Sequence, residues 1–558
     1  MTDYLAKYAH WCESTDVDAA TRRELLEMKE NDQEIKERFF CDLEFGTGGL
    51  RGVIGAGTNR INQYMIRKTT KGYAEYIKKA GKDACERGVV IAHDNRRFSI
   101  EFAQTTAGVL AANGIKAYLF DSLRPTPELS FAVRFKKAFG GVMITASHNP
   151  PEYNGYKLYD ERGCQLVPHV NDLVVAEIEK IADPLAVEAL DVKAAGDLIE
   201  YLGSDVDEAY YNEVMKIVLQ PEMDKSGIKI VYSPQHGTGN VPVRTVLDRL
   251  GYCVIPVEEQ CVPDTEFSMT KNPNPETDDA YSLAFEYARK KDADIVITTD
   301  PDCDRLGVAV KQDGAFVRMT GNQSAAVLLE YILSQRKEQG TLPANGVMFN
   351  TIVTSDLGDR ICESYGVSVE KTLTGFKFIG DKIYGHETKG DKTFVFGYEE
   401  SYGCLISDCV RDKDAVQASM MLCEAAAFYH QKGKTLIDVL HELYARHGFF
   451  LDALDNFTFR GLDGAAQIKA LVDGLRNNPP KKAGEVDVVD FEDYTSSRMI
   501  EAGFPKSNVL RFLMKDGSWV AVRPSGTEPK CKFYFSVVAT DRACAEKKLE
   551  SMRKVFEK

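Results

Sequence analysis

The sequence lacks any run of about 20 apolar residues, the length a membrane-spanning helix needs. Its most apolar stretch, 415–429, is short and carries Gln417 and Glu424, so no membrane partner is expected. The segment MTDYLAKYAHWCES contains acids and has no apolar core of the secretory-signal kind. No CxxC pair occurs among the 13 scattered cysteines, and their count is odd, which argues against a disulfide framework. Both features lead to the expectation of a reduced, cytoplasmic protein. Basic residues are in deficit, with 69 Lys and Arg against 84 Asp and Glu, for a net charge of −15. A polyanionic nucleic acid is therefore a poor partner. A small phosphorylated ligand is still compatible, because a local basic pocket can oppose the global sign. The chain is also short of nothing it needs to fold: 44% hydrophobic and 27% charged residues exclude disorder as the dominant state.

At 558 residues, the chain has room for roughly three to five domains. Residues 21–40 read as one helix capped by Thr21, with Leu25, Met28, Ile35 and Phe39 near helical spacing. Beyond it, a β-rich run repeatedly ends in a polar loop and is followed by a helical stretch. Residues 89–92 run into HDNRR, 142–144 into TASHNPP, 228–232 into SPQHGTGN, 295–298 into TDPDCDR, 347–349 into NTIVTS and 394–396 into GYEESYG. Two such units in each of three successive regions predict three related α/β domains, with ligands gathered at the carboxyl ends of the strands. The last hundred residues alternate apolar and polar positions around an Asp516-Gly517 turn and close on an amphipathic helix, predicting a smaller C-terminal α+β domain. The expected boundaries are 1–205, 206–321, 322–455 and 456–558, with NNPPKKAGE (477–485) as an exposed loop.

Asp300, Asp302 and Asp304 stand at alternate positions just past a strand, where three carboxylates can converge on a hard cation such as magnesium, calcium or manganese. A helix-capping turn is the ordinary alternative. An EF-hand is excluded, because its sixth position is Arg305 and its twelfth Lys311. Arg305 adds a cation where a phosphate could approach. Ser147 lies in a tight loop beside His148, ten residues before Lys157. A serine hydroxyl is a weak nucleophile until a base or metal activates it, and a loop making local backbone hydrogen bonds is the plainer reading. No GxSxG elbow surrounds it, which disfavours a serine hydrolase. In RPSGTEP, Arg523, Ser525 and Thr527 offer donors, and Gly526 opens the backbone to a phosphate dianion or simply forms a turn. In GYEESYG, Glu399 and Ser401 can bind sugar hydroxyls, with Lys413 nearby in sequence; adjacent glutamates cannot flank a glycosidic bond. FGTGGLRG places Arg51 on a Gly-rich loop without Rossmann spacing. GHETKGDKT (385–393) has Asp391 inserted into a Walker-like register, so neither predicts nucleotide binding.

Taken in order from Phe45 to about Lys532, FGTGGLRG, TASHNPPEYNGYK, TDPDCDR, TGFKFIG (374–380), GYEESYG and RPSGTEP together resemble the α-D-phosphohexomutase superfamily. The wording of FGTGGLRG, TGFKFIG and EESYG is most similar to its phosphoglucomutase and phosphopentomutase branch; the phosphomannomutase loop usually reads GEMSGH. The resemblance implies four domains around a central cleft. It implies magnesium held by Asp300, Asp302, Asp304 and a phosphate on Ser147. Arg51, Lys157 and His148 would stand near the reacting oxygen, with Lys157 able to serve as a base where a like charge such as Arg51 sits beside it. Glu399 and Ser401 would contact sugar hydroxyls. Arg523, Ser525, Gly526 and Thr527 would hold the non-reacting phosphate, and Thr374, Gly375, Lys413 and Arg305 would add sugar or phosphate contacts. The implied activity is an isomerase that interconverts glucose 1-phosphate and glucose 6-phosphate through a phosphoserine enzyme and bound glucose 1,6-bisphosphate. A phosphopentomutase, a glucose 1,6-bisphosphate synthase and a non-catalytic sugar-phosphate-binding protein are the alternatives. Cys303 replaces the small Ala or Gly common in that loop, where a thiol could bring oxidation sensitivity.

Overall fold

The computed structural model describes residues 3–46, 49–458, 464–524 and 530–556, with the backbone alone at residue 465. The chain divides into two compact units. One comprises Met1–Met319, Phe376–Phe396 and Ser401–Gly433; the other comprises Thr320–Gly375, Gly397–Glu400 and Lys434–Lys558.

The first unit opens with three short helices, Asp3–Glu13, Ala19–Glu27 and Asp32–Phe39. The single helix expected over 21–40 is thus two. Asp18, not Thr21, caps the first by accepting from the amides of Ala20 and Thr21, and Asn31 caps the second by accepting from Glu34. The polar stretch between them supplies a stop and a new start, where side-chain oxygens satisfy orphan amides better than a continued helix would. The apolar positions hold: Leu25, Met28, Ile35 and Phe39 are buried around Trp11 and Tyr64.

Two sheets follow. The first has seven strands in the order Phe45–Gly46, Gly49–Val53, Tyr153–Asp160, Gly140–Ile144, Val89–His93, Ala117–Phe120 and Ile199–Leu202. Its central strands are parallel, and Tyr153–Asp160 turns back antiparallel against Gly140–Ile144. Val89–His93 and Gly140–Ile144 are buried along their whole length. This explains why they read as continuous apolar runs: helices cover both faces of such a sheet. The second sheet has five strands in the order Ala315–Met319, Leu306–Gln312, Ile295–Thr299, Lys229–Ser233 and Cys253–Pro256. Ile295–Thr299 and Lys229–Ser233 run parallel, so both release their loops at the same edge.

In the second unit, Gly346–Thr351 and Ser368–Thr372 pair in parallel, with the helices Gly321–Glu338, Leu357–Tyr365 and Leu436–His447 around them. A six-stranded antiparallel sheet follows, in the order Phe449–Thr458, Lys530–Ala539, Trp519–Pro524, Leu510–Met514, Val486–Asp493 and Lys482–Ala483. The Asp516-Gly517 turn is present, with Gly517 at φ 86° and the Asp516 carboxylate accepting from Ser518. The final helix, Arg542–Phe556, lays Leu549, Met552 and Phe556 onto Phe512, Val520 and Phe533. The segment 477–485 is not wholly a loop: Lys482–Ala483 pairs with Val486–Asp487, and Ala483 is buried. Among the described residues, no helix is long and apolar enough to cross a membrane.

Candidate active site

The site is built where strands of the first unit end. Gly140–Ile144 runs into Thr145-Ala-Ser147, and Ile295–Thr299 runs into Asp300-Pro-Asp302-Cys-Asp304. Both loops carry a residue in the left-handed region, Ser147 at φ 52° and Cys303 at φ 54°. A non-glycine residue keeps that conformation only where its surroundings over-determine it. At Ser147 the surroundings are explicit. Its amide donates to Thr145 Oγ1 at 2.8 Å, and Thr145 in turn donates to Asp94 Oδ2 at 2.6 Å. The buried Arg96 guanidinium donates to the carbonyls of Ser147, Asn149, Pro150 and Tyr153, gathering both ends of the loop. Asp94 balances that charge at 3.2 Å, and the Phe267 ring lies 5.1 Å from the guanidinium. Gly155 is required beside this loop, because a Cβ there would meet the Thr145 carbonyl at 2.4 Å.

Ser147 Oγ donates to Asp300 Oδ2 at 2.8 Å, joining the two loops. One carboxylate oxygen from each of Asp300, Asp302 and Asp304 lies within 4.8 Å of the other two, and all three residues are buried. Burial and mutual repulsion push the Asp300 carboxyl well above the ordinary range and raise that of Asp304. Asp302 goes the other way: against its burial, the Lys157 ammonium at 2.8 Å holds it well below. The buried Asp302 Oδ1 and Asp304 Oδ1 accept no hydrogen bond among the described residues. Three converging oxygen donors with two open lone-pair sites, in a place where negative charges crowd, fit a hard divalent cation.

Cations surround the acids. Lys157 is on Tyr153–Asp160, and Arg51 is on the neighbouring strand Gly49–Val53, opposite Gly155. Arg51 therefore sits in a strand, not in the expected Gly-rich loop, because its neighbours pair with Tyr153–Asp160. The period of two puts Gly155 and Lys157 on one face. Arg51 donates to Asn149 Oδ1 at 3.1 Å. Lys413 Nζ stands 3.1 Å from Asp304 Oδ2 and 3.1 Å from Asp412 Oδ1, and Tyr159 donates to Asp412 at 2.9 Å. Arg305 donates to Glu276 at 2.8 Å and lies 3.8 Å from Asp304. His148 Nδ1 is 3.3 Å from Ser147 Oγ. Burial and the charges of Arg305 and Arg51 keep this imidazole well below its usual value, hence neutral near pH 7. Cys303 is fully buried, and burial pushes its thiol well up. That disfavours the thiolate and with it the expected oxidation sensitivity.

Of the sequence-predicted residues in this unit, Ser147, His148, Lys157, Asp300, Asp302, Asp304 and Lys413 meet directly, and Arg51 joins through Asn149. Ser401 is half-buried in the same unit. In the second unit, the amide of Gly375 donates to Glu399 Oε1 at 2.7 Å, so two expected sugar contacts share one bond, and Thr374 is half-buried beside them. Arg523 is on Trp519–Pro524, opposite Lys532. Ser525, Gly526 and Thr527 lie outside the described residues. The residues unforeseen from sequence are Asp94, Arg96, Thr126 and Asp412. HDNRR carried a signal for the first two: an acid and an arginine at the carboxyl end of a buried strand.

Family models agree with this layout. Residues 42–184, 208–314 and 320–447 match the α/β/α domains I, II and III of phosphoglucomutase/phosphomannomutase, and residues 470–551 match its C-terminal domain. A phosphoglucomutase of Staphylococcus haemolyticus is 38% identical over 516 residues, covering 90% of this chain and 91% of its own length. One of Staphylococcus aureus is 37% identical over 534 residues, covering 94% and 95%. Among solved structures, the open form of the Paramecium phosphoglucomutase parafusin superposes with a TM-score of 0.71 at 18% identity, covering 93% of this chain and 95% of its own. A phosphoglucomutase/phosphomannomutase family protein of Burkholderia thailandensis gives 0.68 at 18%, covering 92% and 96%. These last two likenesses concern the fold alone. With all four domains matched in order along the chain and a buried acid triad in the second of them, the chain belongs to the phosphoglucomutase/phosphomannomutase family of phosphohexomutase-type isomerases.

Proposed function

We propose that the protein is a phosphoglucomutase, interconverting glucose 1-phosphate and glucose 6-phosphate through a phosphorylated Ser147 and bound glucose 1,6-bisphosphate. The observation that carries this reading is the Ser147 hydroxyl held 2.8 Å from Asp300, at the edge of the acid triad. Relatives named phosphoglucomutase, at 37–38% identity over most of the chain, support glucose as the sugar.

In the forward half-reaction the bond between Ser147 Oγ and phosphorus breaks, and a sugar hydroxyl oxygen bonds to that phosphorus. The electron pair stays on Oγ, and the hydroxyl proton passes to a nearby base. Lys157 and Arg51 are the side chains placed to handle that proton or balance the developing charge. A phosphate on Ser147 would bring about two negative charges against Asp300, so it needs cations close by. Lys157, Arg51, Arg305 and Lys413 are those the chain itself provides. Asp300, Asp302 and Asp304 would hold magnesium, which when bound would supply Lewis-acid neutralisation of the transferring group. The neutral His148 offers a ring nitrogen to the Ser147 oxygen without adding charge.

In the second unit, Glu399, oriented by the Gly375 amide, is suited to sugar hydroxyls, and Thr374 extends that polar set; Ser401, in the first unit, is assigned a sugar contact of its own. Arg523, with Ser525, Gly526 and Thr527, is assigned the non-reacting phosphate. The sugar must present C1 and C6 in turn, so this grip has to accept a phosphate at either end. The 13 unpaired cysteines suit a reducing, cytoplasmic setting.

Intact-mass and peptide analysis of the purified enzyme tests the proposal. A phosphate on Ser147 that passes to the sugar when glucose 1-phosphate is added supports it, and turnover by Ser147→Ala would remove it. Parallel assays with glucose, mannose and ribose 1-phosphates decide the sugar, and a pentose preference would move the assignment to phosphopentomutase.

A further inference from the structure

The acid triad belongs to the region matched as domain II, yet one of its members is gripped by a residue of domain I that lies in neither loop motif. Thr126 is fully buried. Its hydroxyl donates to Asp302 Oδ2 at 3.0 Å, and its amide donates to the Asp302 carbonyl at 2.9 Å. One residue thus holds both the side chain and the main chain of another, 176 positions away. The local sequence prepares this grip. Thr126 opens the helix Thr126–Phe135 between Pro125 and Pro127, with Pro125 extended at φ −70° and ψ 154°. Proline fixes φ on either side, so the orientation of the threonine is set before it meets its partner. The first amides of a helix have no partner within it, so the Thr126 N–H is free to bind outward.

The consequence falls on the carboxylate. Asp302 Oδ2 receives two donors, Thr126 Oγ1 and Lys157 Nζ, while Oδ1 is buried and accepts no hydrogen bond among the described residues. Saturating one oxygen fixes the rotation of the carboxylate and leaves the other oxygen as the open ligand position. We infer that Thr126 is a positioning residue: it orients Asp302 so that Oδ1 faces the divalent cation, and it ties the metal loop of the second domain to the first. This rests on the triad being a metal site. Residues that orient metal ligands in this manner typically influence affinity by about 10–100-fold.

The test is a manganese titration of the full-length enzyme, read by electron paramagnetic resonance of free Mn²⁺, independent of turnover. Thr126→Val keeps the shape and the amide but removes the hydroxyl. It is expected to weaken Mn²⁺ binding roughly tenfold or more, with a matching rise in the magnesium needed for half-maximal activity. Thr126→Ser, which restores the hydroxyl, is expected to bind as the wild type does. Wild-type affinity in Thr126→Val overturns the inference, and so does equal weakening in the valine and serine variants, which would mark a packing role only. Should the valine variant lose its fold by circular dichroism, Thr126→Ala takes its place with the same expectations. The underlying metal reading fails separately: there, the wild type binds no Mn²⁺, or Asp300→Asn binds it as well as the wild type.

Discussion

Ser147 Oγ and Asp300 Oδ2 lie 2.8 Å apart although 153 residues separate them. The bond joins the ends of two strands in two different sheets. It places the one activatable hydroxyl of the loop against a carboxyl whose proton is already favoured by burial and by Asp302 and Asp304. A divalent cation relieves that crowding, and so does a proton; which one is bound decides what the serine faces.

Removing the cation with a chelator is therefore expected to stop turnover and to be reversed by magnesium. Asp300→Asn should lower kcat by about a hundredfold or more, the scale of losing several kcal/mol of charge stabilisation. Steady-state rates across a magnesium series check this, and a variant with wild-type kcat and magnesium dependence would remove Asp300 from the site.

Arg96 spans four carbonyls of the Ser147 loop and the strand that follows it with one planar fork. Arg96→Lys keeps the charge but cannot reproduce that fork. Expected is a kcat lower by about 10–100-fold from misplacement of Ser147, together with a lower Tm. Kinetics beside a melting curve will tell; an unaltered kcat means the loop holds its shape unaided.

Arg523 lies in the second unit near the end of the strand Trp519–Pro524. If it grips the non-reacting phosphate, Arg523→Ala should raise KM by about 10–100-fold, the worth of a charged hydrogen-bonding pair, with a smaller effect on kcat. Unchanged KM and kcat would end that assignment.

Asp452, on Phe449–Thr458, accepts from Ser536 at 2.6 Å and from Asn322 at 2.9 Å, and burial pushes its carboxyl up to about 6. A carboxyl raised above its unfolded value contributes stability that is complete below about pH 4 and is lost as pH rises through about 6. Asp452→Asn should flatten the dependence of Tm on pH across that window and raise Tm at pH 8 by about 2 °C or more. An identical pH profile for variant and wild type would contradict the shift.

Much of this molecule was legible along the chain. The runs 89–92, 142–144 and 295–298 read as strands, and the structure has strands over 89–93, 140–144 and 295–299, buried throughout, which leaves mostly apolar side chains to place. The polar loops after them stood out because nothing in a buried strand requires Asp-x-Asp-x-Asp or Ser-His-Asn. Short-range chemistry was harder. The break after Glu27 escaped notice because Asn31 caps the next helix through its own side chain, a local competition that apolar periodicity does not register.

What sequence by itself determined is the set of chemical groups and their order: one loop serine, three alternating aspartates and the basic residues that follow them. These are local facts, fixed by neighbours a few residues away. Tertiary structure alone decided which of them meet. Arg96 clamps the Ser147 loop because parallel strands deliver both loops to one sheet edge, and Thr126 holds Asp302 where the loops of two different sheets meet. Contacts across 51 or 176 positions leave no period in the sequence to read.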